Sequence, residues 1–341
     1  MEDSIVTSKL GRQYMSKPNR VDPSKLVFLA IPVMKALPTV VDLRLKCGPI
    51  REQGTLGSCT AFALSGIISY LQKGSTPSEL FMYYNHRVIG KTVGQDSGAT
   101  LTDSITSLRK YGVCPDKLWP YNISKFTVKP NANCYKQAAK NKALSVLNIK
   151  NTMTDMKNSL ASGRPFVVGI PVYDSFESDA VAATGMVPMP SPTDKLLGYH
   201  AVVCVGFDDT LGCWLMRNSW GSVWGEKGYF YLPYAFLTTD LSDGVEGFDL
   251  WCITKMSSTA PVKNKINQMH KINQIHKINQ MHKINQMHKI NQIHKINQIH
   301  KINQIHKIKK INKINPLKTI INRIDQNMPI HNFKKSMITL K

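Results

Sequence analysis

Three polar residues of this sequence have the types and the order needed for nucleophilic attack on a carbonyl group. Cys59 follows a glycine-rich turn in the stretch QGTLGSCTAFA. His200 lies 141 residues later in LGYHAVVCVGF, and Asn218 lies in LMRNSWGSVWGEKGYF. A thiolate nucleophile needs a base and an oxyanion site, and a side-chain amide can hold the imidazole in the required tautomer. The three residues therefore predict a thiol-based catalytic site.

Each of these residues also has a plainer explanation. Cysteine is usually a buried and inert packing residue. His200 fits a core histidine on an apolar strand, and Asn218 fits a turn residue before Gly221. The spacing favours the catalytic interpretation, because the histidine of papain-type sites follows the cysteine by about 130–150 residues.

The element that must position Cys59 is a helix. The helix is indicated by apolar residues at spacings of three and four, namely Ala61, Leu64, Ile68 and Leu71. Gly57-Ser58 before Cys59 place it in the first turn of this helix, and a helix N-terminus lowers the pKa of a thiol. Residues 102–111 predict a second, amphipathic helix.

The second half of the domain has the pattern of strands. Short apolar, β-branched or aromatic runs are bounded by Gly, Asp and Pro, and they read RPFVVGIPVY, HAVVCVGF, CWLMRNSW and GYFYLPY. Such runs are strand signals. Helices first and strands second predict an α+β fold rather than alternating βαβ units.

The net charge of +22 is concentrated at one end of the 341-residue chain. Residues 257–341 hold 17 Lys and Arg against one acid, Asp325, and so carry +16.

The first residues lack the pattern of a secretory signal, and no segment has transmembrane length without charges. The seven cysteines form no C-x-x-C pair, which argues against a disulfide framework and a zinc site. We therefore expect a soluble, cytoplasmic protein.

The basic tail contains seven copies of K-I-N-Q-(I/M)-H between Lys265 and His306. An apolar residue at every third position drifts by about 60° per step around a helix, so it forms no stable face. We expect a disordered or weakly helical tail. A β-solenoid is disfavoured because small corner residues are lacking, and simple repeat expansion without function stays an alternative. As a hypothesis, the regular lysines bind a polyanion such as nucleic acid without reading its sequence.

The three motifs together resemble those of papain-like cysteine peptidases, over roughly residues 38–255. The resemblance implies an α+β fold of two subdomains, a helical one with Cys59 and a β-rich one with His200 and Asn218. Substrate would bind in the cleft between them. The chain would divide into a short N-terminal segment (1–37), the peptidase domain (38–256) and the repeat tail (257–341).

The resemblance also implies a role for each matching residue. Cys59 would be the nucleophile of an endopeptidase, His200 the general base and then acid, and Asn218 the residue that orients His200. The Gln53 side chain and the Cys59 backbone N–H would form the oxyanion hole. Trp220 would shield the bond between His200 and Asn218 from water.

The remaining implications concern ligands. Gly98, in Ser97-Gly98, partly matches the paired glycines that bind substrate backbone in this family. A peptide or protein substrate is expected, with no cofactor and no metal, for a monomeric enzyme.

Two departures from the family pattern affect these expectations. Leu56 stands where the family commonly has a disulfide-forming cysteine, which agrees with a reducing compartment. Fewer than 40 residues precede the catalytic region, so control of activity is expected elsewhere, and Leu26–Met34 is one candidate to cover the cleft. The Asn/Ile/Lys-rich repeat resembles sequences of large DNA viruses, for which a virion location would follow. A catalytically silent protein anchored by its tail, and acyl transfer instead of hydrolysis, remain alternatives.

Overall fold

The computed structural model describes residues 11, 12, 14, 16, 36–238 and 249–257. The predictions for the repeats and for Leu26–Met34 lie outside these residues. No helix within the described part of the chain is long and apolar enough to cross a membrane.

The α-helices of the first half are α1 (Cys59–Leu71), α2 (Glu79–Gly90), α3 (Leu101–Lys110) and α4 (Ala132–Ala138). The predicted stripe of α1 is confirmed for Ala61, Leu64 and Ile68, which have no exposed surface, whereas Leu71 is 36% exposed at the helix end. Because nearly all of α1 is buried, this helix forms the centre of the domain rather than one amphipathic face. The predicted second helix is α3.

The strands form one antiparallel sheet, to which the second half contributes all strands but the first, together with three short helices. Its strands are β1 (Val40–Asp42), β2 (Ala143–Asn148), β3 (Phe166–Tyr173), β4 (Leu196–Asp208), β5 (Cys213–Arg217), β6 (Tyr229–Pro233) and β7 (Leu250–Met256). The helices are α5 (Met153–Ala161), α6 (Asp179–Thr184) and α7 (Tyr234–Thr238). This order confirms the predicted α+β class.

The strand order β2-β7-β3-β4-β5-β6 places the longest strand, β4, between two partners, and β1 also pairs with β4. The register sets His200 opposite Ile170 of β3, and Val203 opposite Arg217, the residue before Asn218. Side chains of α1 and β4 belong to the same apolar core. The packing of α1 on β4 therefore brings the predicted nucleophile to the strand that carries the predicted base.

Candidate active site

Cys59 is the first residue of α1 and has no exposed surface. The Ser58 side chain makes no capping bond to the helix, so it leaves the first N–H groups of α1 unoccupied by a side-chain cap. Burial raises the pKa of the Cys59 thiol to about 11, although hydrogen bonds from the backbone of Ala201 and Thr60 act in the opposite direction. The contact with Ala201 places the sulfur beside the residue that follows His200.

The tautomer of His200 follows from its hydrogen bond to Asn218. The His200 Nε2 lies 2.9 Å from the Asn218 Oδ1, which also accepts the Ser219 N–H at 2.8 Å. Because an amide oxygen is only an acceptor, Nε2 must carry the proton, and the lone pair is on Nδ1. Nδ1 is buried and has no hydrogen-bond partner within the described part of the chain. The hydrogen bond thus leaves the Nδ1 lone pair unpaired, on the strand whose next residue, Ala201, contacts the Cys59 sulfur.

Trp220 covers the imidazole. Its ring stacks on that of His200 with centroids 4.9 Å apart, and it is 1% exposed. Trp224 and Phe176 pack edge-on against the Trp220 ring. The aromatic cluster covers this side of the histidine.

Gln53 is anchored at both ends of its side-chain amide. Its Oε1 accepts the Ser219 hydroxyl at 2.6 Å, and its Nε2 donates to the Leu56 carbonyl at 3.1 Å. An amide nitrogen has two N–H groups, so one remains for another acceptor. Ser219 was missed in the sequence, although its place beside Asn218 in the NSW motif was a signal.

A second hydroxyl missed in the sequence closes the nucleophile loop, which we define as residues 53–58. The Tyr121 hydroxyl donates to the Gln53 carbonyl at 2.8 Å and lies 2.7 Å from the Ser58 Oγ. Tyr121 lies 63 positions beyond Ser58 in the chain, so no local pattern indicates this contact.

Gly98 makes an internal contact in this structure. Its N–H donates to the Tyr83 hydroxyl at 3.1 Å, and it has a φ of +64°. The backbone donor that was expected to bind substrate is therefore bonded to α2, while the positive φ explains the preference for glycine.

The N-terminal residues that the structure describes lie against the imidazole side of the site. We call the described residues Gly11, Arg12, Tyr14 and Ser16 the covering segment. The Ser16 N–H donates to the Tyr199 carbonyl at 3.1 Å, and the Tyr199 N–H donates to the Tyr14 carbonyl at 3.4 Å. Bonds from one residue to two positions on a neighbouring chain are the pattern of strand pairing. A Cβ at Gly198 would lie 2.5 Å from the Tyr14 carbonyl oxygen, so glycine is needed for this approach.

Arg12 extends the cover over Trp220. Its guanidinium lies 4.4 Å from the Trp220 ring centroid and 3.8 Å from the Glu177 carboxylate. Tyr14 packs edge-on against His200 and is 7% exposed. From the sequence, Leu26–Met34 was the candidate to cover the cleft. Nothing in the composition of the covering segment indicated that it lies beside His200 and Trp220.

Burial favours the neutral forms of both predicted catalytic groups. Burial lowers the pKa of His200 to about 4; the Asn218 hydrogen bond acts against this shift, and the Arg12 charge adds to it. Because the pKa of Cys59 is raised to about 11, the covered pair is thiol and imidazole at neutral pH. Among the described residues, no cluster of His, Cys, Asp or Glu could hold a metal ion, and all seven cysteines are free.

Comparison with known sequences identifies the family. The family model described as papain family cysteine protease matches residues 37–237, more than half of the chain. The chain belongs to the papain family. Its chemistry is accordingly that of a cysteine-type hydrolase, and its fold is the papain-like α+β fold.

The relatives of this papain-family chain include viral, animal and bacterial proteins. An uncharacterized peptidase C1-like protein of Acanthamoeba polyphaga mimivirus is 37% identical over 230 residues, which cover 63% of this chain and 72% of the relative. A cathepsin L-like proteinase of Fasciola hepatica is 26% identical over 57% of this chain and 60% of its own length. The crystal structure of xylellain, a cysteine protease from Xylella fastidiosa, aligns with a TM-score of 0.65 at 36% identity, over 73% of this chain and 97% of that one.

Proposed function

We propose that this protein hydrolyses peptide bonds through Cys59, His200 and Asn218, with a thioester acyl-enzyme as intermediate. The observation that carries the proposal is the hydrogen bond from His200 Nε2–H to Asn218 Oδ1. This bond leaves the Nδ1 lone pair as the base, on the strand whose next residue contacts the Cys59 sulfur. The relatives named as proteases support the same reaction class.

The proposed reaction starts with transfer of the Cys59 thiol proton to the His200 Nδ1. The thiolate attacks the substrate carbonyl, and the oxyanion accepts the second Gln53 Nε2–H and the Cys59 backbone N–H. The imidazolium then donates its proton to the leaving amine, which departs and leaves a thioester on Cys59. His200 takes a proton from water, hydroxide attacks the thioester, and the acid product and free thiol are released.

Access to the site requires that the covering segment moves. It pairs with the backbone of Tyr199, the residue before the proposed base. We propose that an extended substrate chain uses the same backbone groups, so that the covering segment and the substrate compete, and we assign the control of activity to this segment. Its departure also restores water to the site, which lowers the pKa of Cys59 and raises that of His200.

The test is covalent labelling of the full chain by a peptidyl epoxide, read by intact mass. We expect one adduct on the wild type, faster labelling of an Arg12→Ala/Tyr14→Ala variant, and none on either protein when Cys59→Ala is added. Labelling that persists after Cys59→Ala would contradict the assigned nucleophile.

The catalytically silent alternative rests on the covered, neutral pair seen in the structure. It predicts that the folded Arg12→Ala/Tyr14→Ala variant takes no label and cleaves no peptide, but still binds a polyanion through its basic tail. Acyl transfer is distinguished by added amines, which would divert the thioester to amide products instead of the free acid.

The proposal for the tail concerns residues 257–341, of which 258–341 lie outside the described part of the chain. Its charge supports binding to a polyanion, and the mimivirus relative supports a place in a virus particle or an infected cytoplasm. Heparin or duplex DNA should bind the full chain with an affinity that falls steeply with salt concentration. Equal binding after removal of the tail would contradict this part of the proposal.

A further inference from the structure

Asp96 is an acidic residue that the proposed reaction does not use, yet it contacts the nucleophile loop directly. Its carboxylate oxygens accept the Gly57 N–H at 3.2 and 3.1 Å. Gly57 lies two residues before Cys59 and is buried. The bond joins positions 39 apart in the chain, so it connects two separate loops.

The opposite end of the same peptide group is bound by Gln53. The Leu56–Gly57 peptide presents its carbonyl to the Gln53 Nε2 at 3.1 Å and to the Ser58 N–H at 2.7 Å. A peptide group is planar, so holding its N–H also holds the direction of its carbonyl. Gly57 has no Cβ to resist rotation of this plane. Asp96 is thus the contact on the N–H side that keeps the Leu56 carbonyl facing Gln53.

Asp96 is itself held rigidly. The Tyr83 hydroxyl donates to its Oδ1 and accepts the Gly98 N–H. Burial, and next the Asp96 charge, raise the pKa of Tyr83, so the hydroxyl stays a donor. Arg87 lies over the Tyr83 ring at 4.1 Å and donates to the carbonyls of Val93 and Gln95 at 2.9 Å. The carboxylate is therefore presented by a loop attached to α2.

We propose that Asp96 is a positioning residue for the oxyanion hole: its hold on the Leu56–Gly57 peptide aims the Gln53 amide at the reacting carbonyl. All seven cysteines are free, so no covalent link holds this loop. The inference rests on the proposed function, because Gln53 matters only where an oxyanion forms. Since that oxyanion forms after substrate has bound, Asp96 acts on kcat and not on KM.

The test measures kcat and KM for the full chain and five variants. Asp96→Ala should lower kcat by about tenfold to 10²-fold with KM within about twofold, since misplaced groups cost up to that much. Asp96→Asn keeps an oxygen for the Gly57 N–H and should recover most of the activity. Asp155→Ala removes a carboxylate that accepts the Thr152 hydroxyl at 2.7 Å at the start of α5, and it serves as the control for loss of an aspartate elsewhere in the fold. It should leave kcat unchanged.

Two variants, Gln53→Ala and Gln53→Ala/Asp96→Ala, make the test specific to Gln53. Asp96→Ala in a Gln53→Ala background should lower kcat no further, because the group that Asp96 aims is gone. Full additivity of the two losses, or an unchanged kcat for Asp96→Ala, would overturn the inference.

A readout without turnover separates this inference from the proposed function. Amide hydrogen exchange at Gly57 should accelerate in Asp96→Ala and stay slow in Asp155→Ala, whether or not peptides are cleaved. If the wild type is inactive and exchange is accelerated in Asp96→Ala, the proposed function is refuted but the hold of Asp96 on the Leu56–Gly57 peptide stands. Unchanged exchange at Gly57 would overturn that hold even in an active enzyme.

Discussion

Cys59 and the strand of His200 meet at Ala201, but the chain holds the two sides of the site in different ways. The nucleophile loop is held by side chains from distant positions, Tyr121 and Asp96, through single hydrogen bonds to backbone groups. His200 is held by the pairing of β4 with β3 and by the stacked Trp220 ring. The first side depends on individual polar contacts, and the second on sheet register and apolar packing.

This difference predicts how each side responds to mutation. A hydrogen bond to a loop contributes roughly 0.5–1.5 kcal/mol net, so its loss alters geometry before it alters folding. Removal of a buried aromatic side chain costs about 3–5 kcal/mol, so it alters folding first. Single polar variants should therefore separate the catalytic contributions of the two sides.

The largest effect is expected for His200→Ala, which removes the base. We expect kcat for peptide hydrolysis to fall by about 10⁴-fold or more. The control is Ile170→Val, opposite His200 in the register, which costs about 0.5–1.5 kcal/mol in stability and should leave the chemistry intact. Retention of kcat within tenfold in a folded His200→Ala protein would refute the assigned base.

The next largest effect should come from Asn218→Ala, which removes the acceptor of the Nε2 proton. Both tautomers then become populated, and we expect kcat to fall by about tenfold to 10²-fold because part of the imidazole presents N–H to the sulfur. Asn218→Asp keeps the acceptor, and its negative charge should raise the pKa of His200. The pH profile of Cys59 alkylation should report that shift, and identical profiles for the Ala and Asp variants would contradict it.

A smaller effect is expected from Arg12→Ala, which weakens the cover on the imidazole side. The covered state lowers the pKa of His200 to about 4, so it binds a proton less well than an uncovered state with a pKa of about 6.5. Covering is therefore fully favoured above about pH 6.5 and is lost as the pH falls toward 4. Arg12→Ala removes the contact with Trp220, so the covering segment leaves the site more readily and labelling by the epoxide at pH 7 should become several-fold faster.

Tryptophan fluorescence checks the same coupling in equilibrium. Acidification of the wild type should change the signal in one step between about pH 6.5 and 4 as Arg12 and Tyr14 leave Trp220. The step should be absent in a Trp220→Phe control. A wild-type signal that stays constant down to pH 4 would refute the link between protonation and uncovering.

The smallest effect is expected for Tyr121→Phe, which sharpens the comparison on the loop side. It removes the hydroxyl bonded to Ser58 and Gln53 and leaves the ring, which packs against Phe62 at 4.9 Å. A loss of about 0.5–1.5 kcal/mol corresponds to a reduction in kcat of a few-fold, with a melting temperature lowered by no more than a few degrees. A large drop in melting temperature with unchanged kcat would place Tyr121 among the packing residues instead.

The sequence by itself determined the class of fold and predicted the main chemical groups of the site. The stripe of Ala61, Leu64 and Ile68 predicted the helix that begins at Cys59, and the apolar runs predicted β3, β4, β5 and β6. These predictions succeed because periodicity and turn residues report local backbone conformation, which is set by near neighbours. The family was indicated by three short contiguous motifs, together with the spacing between Cys59 and His200.

Only the tertiary structure decided which groups support that chemistry. Asp96 reaches Gly57 across 39 positions, and Tyr121 reaches Gln53 across 68. Arg12 contacts Trp220, and Tyr14 contacts His200, only because the backbone of the covering segment pairs with that of Tyr199. A polar side chain in a loop has the same local pattern whether it faces solvent or a backbone N–H from another element. Its partner is set by the packing of α1 and α2 on the sheet, and local sequence carries no record of that packing.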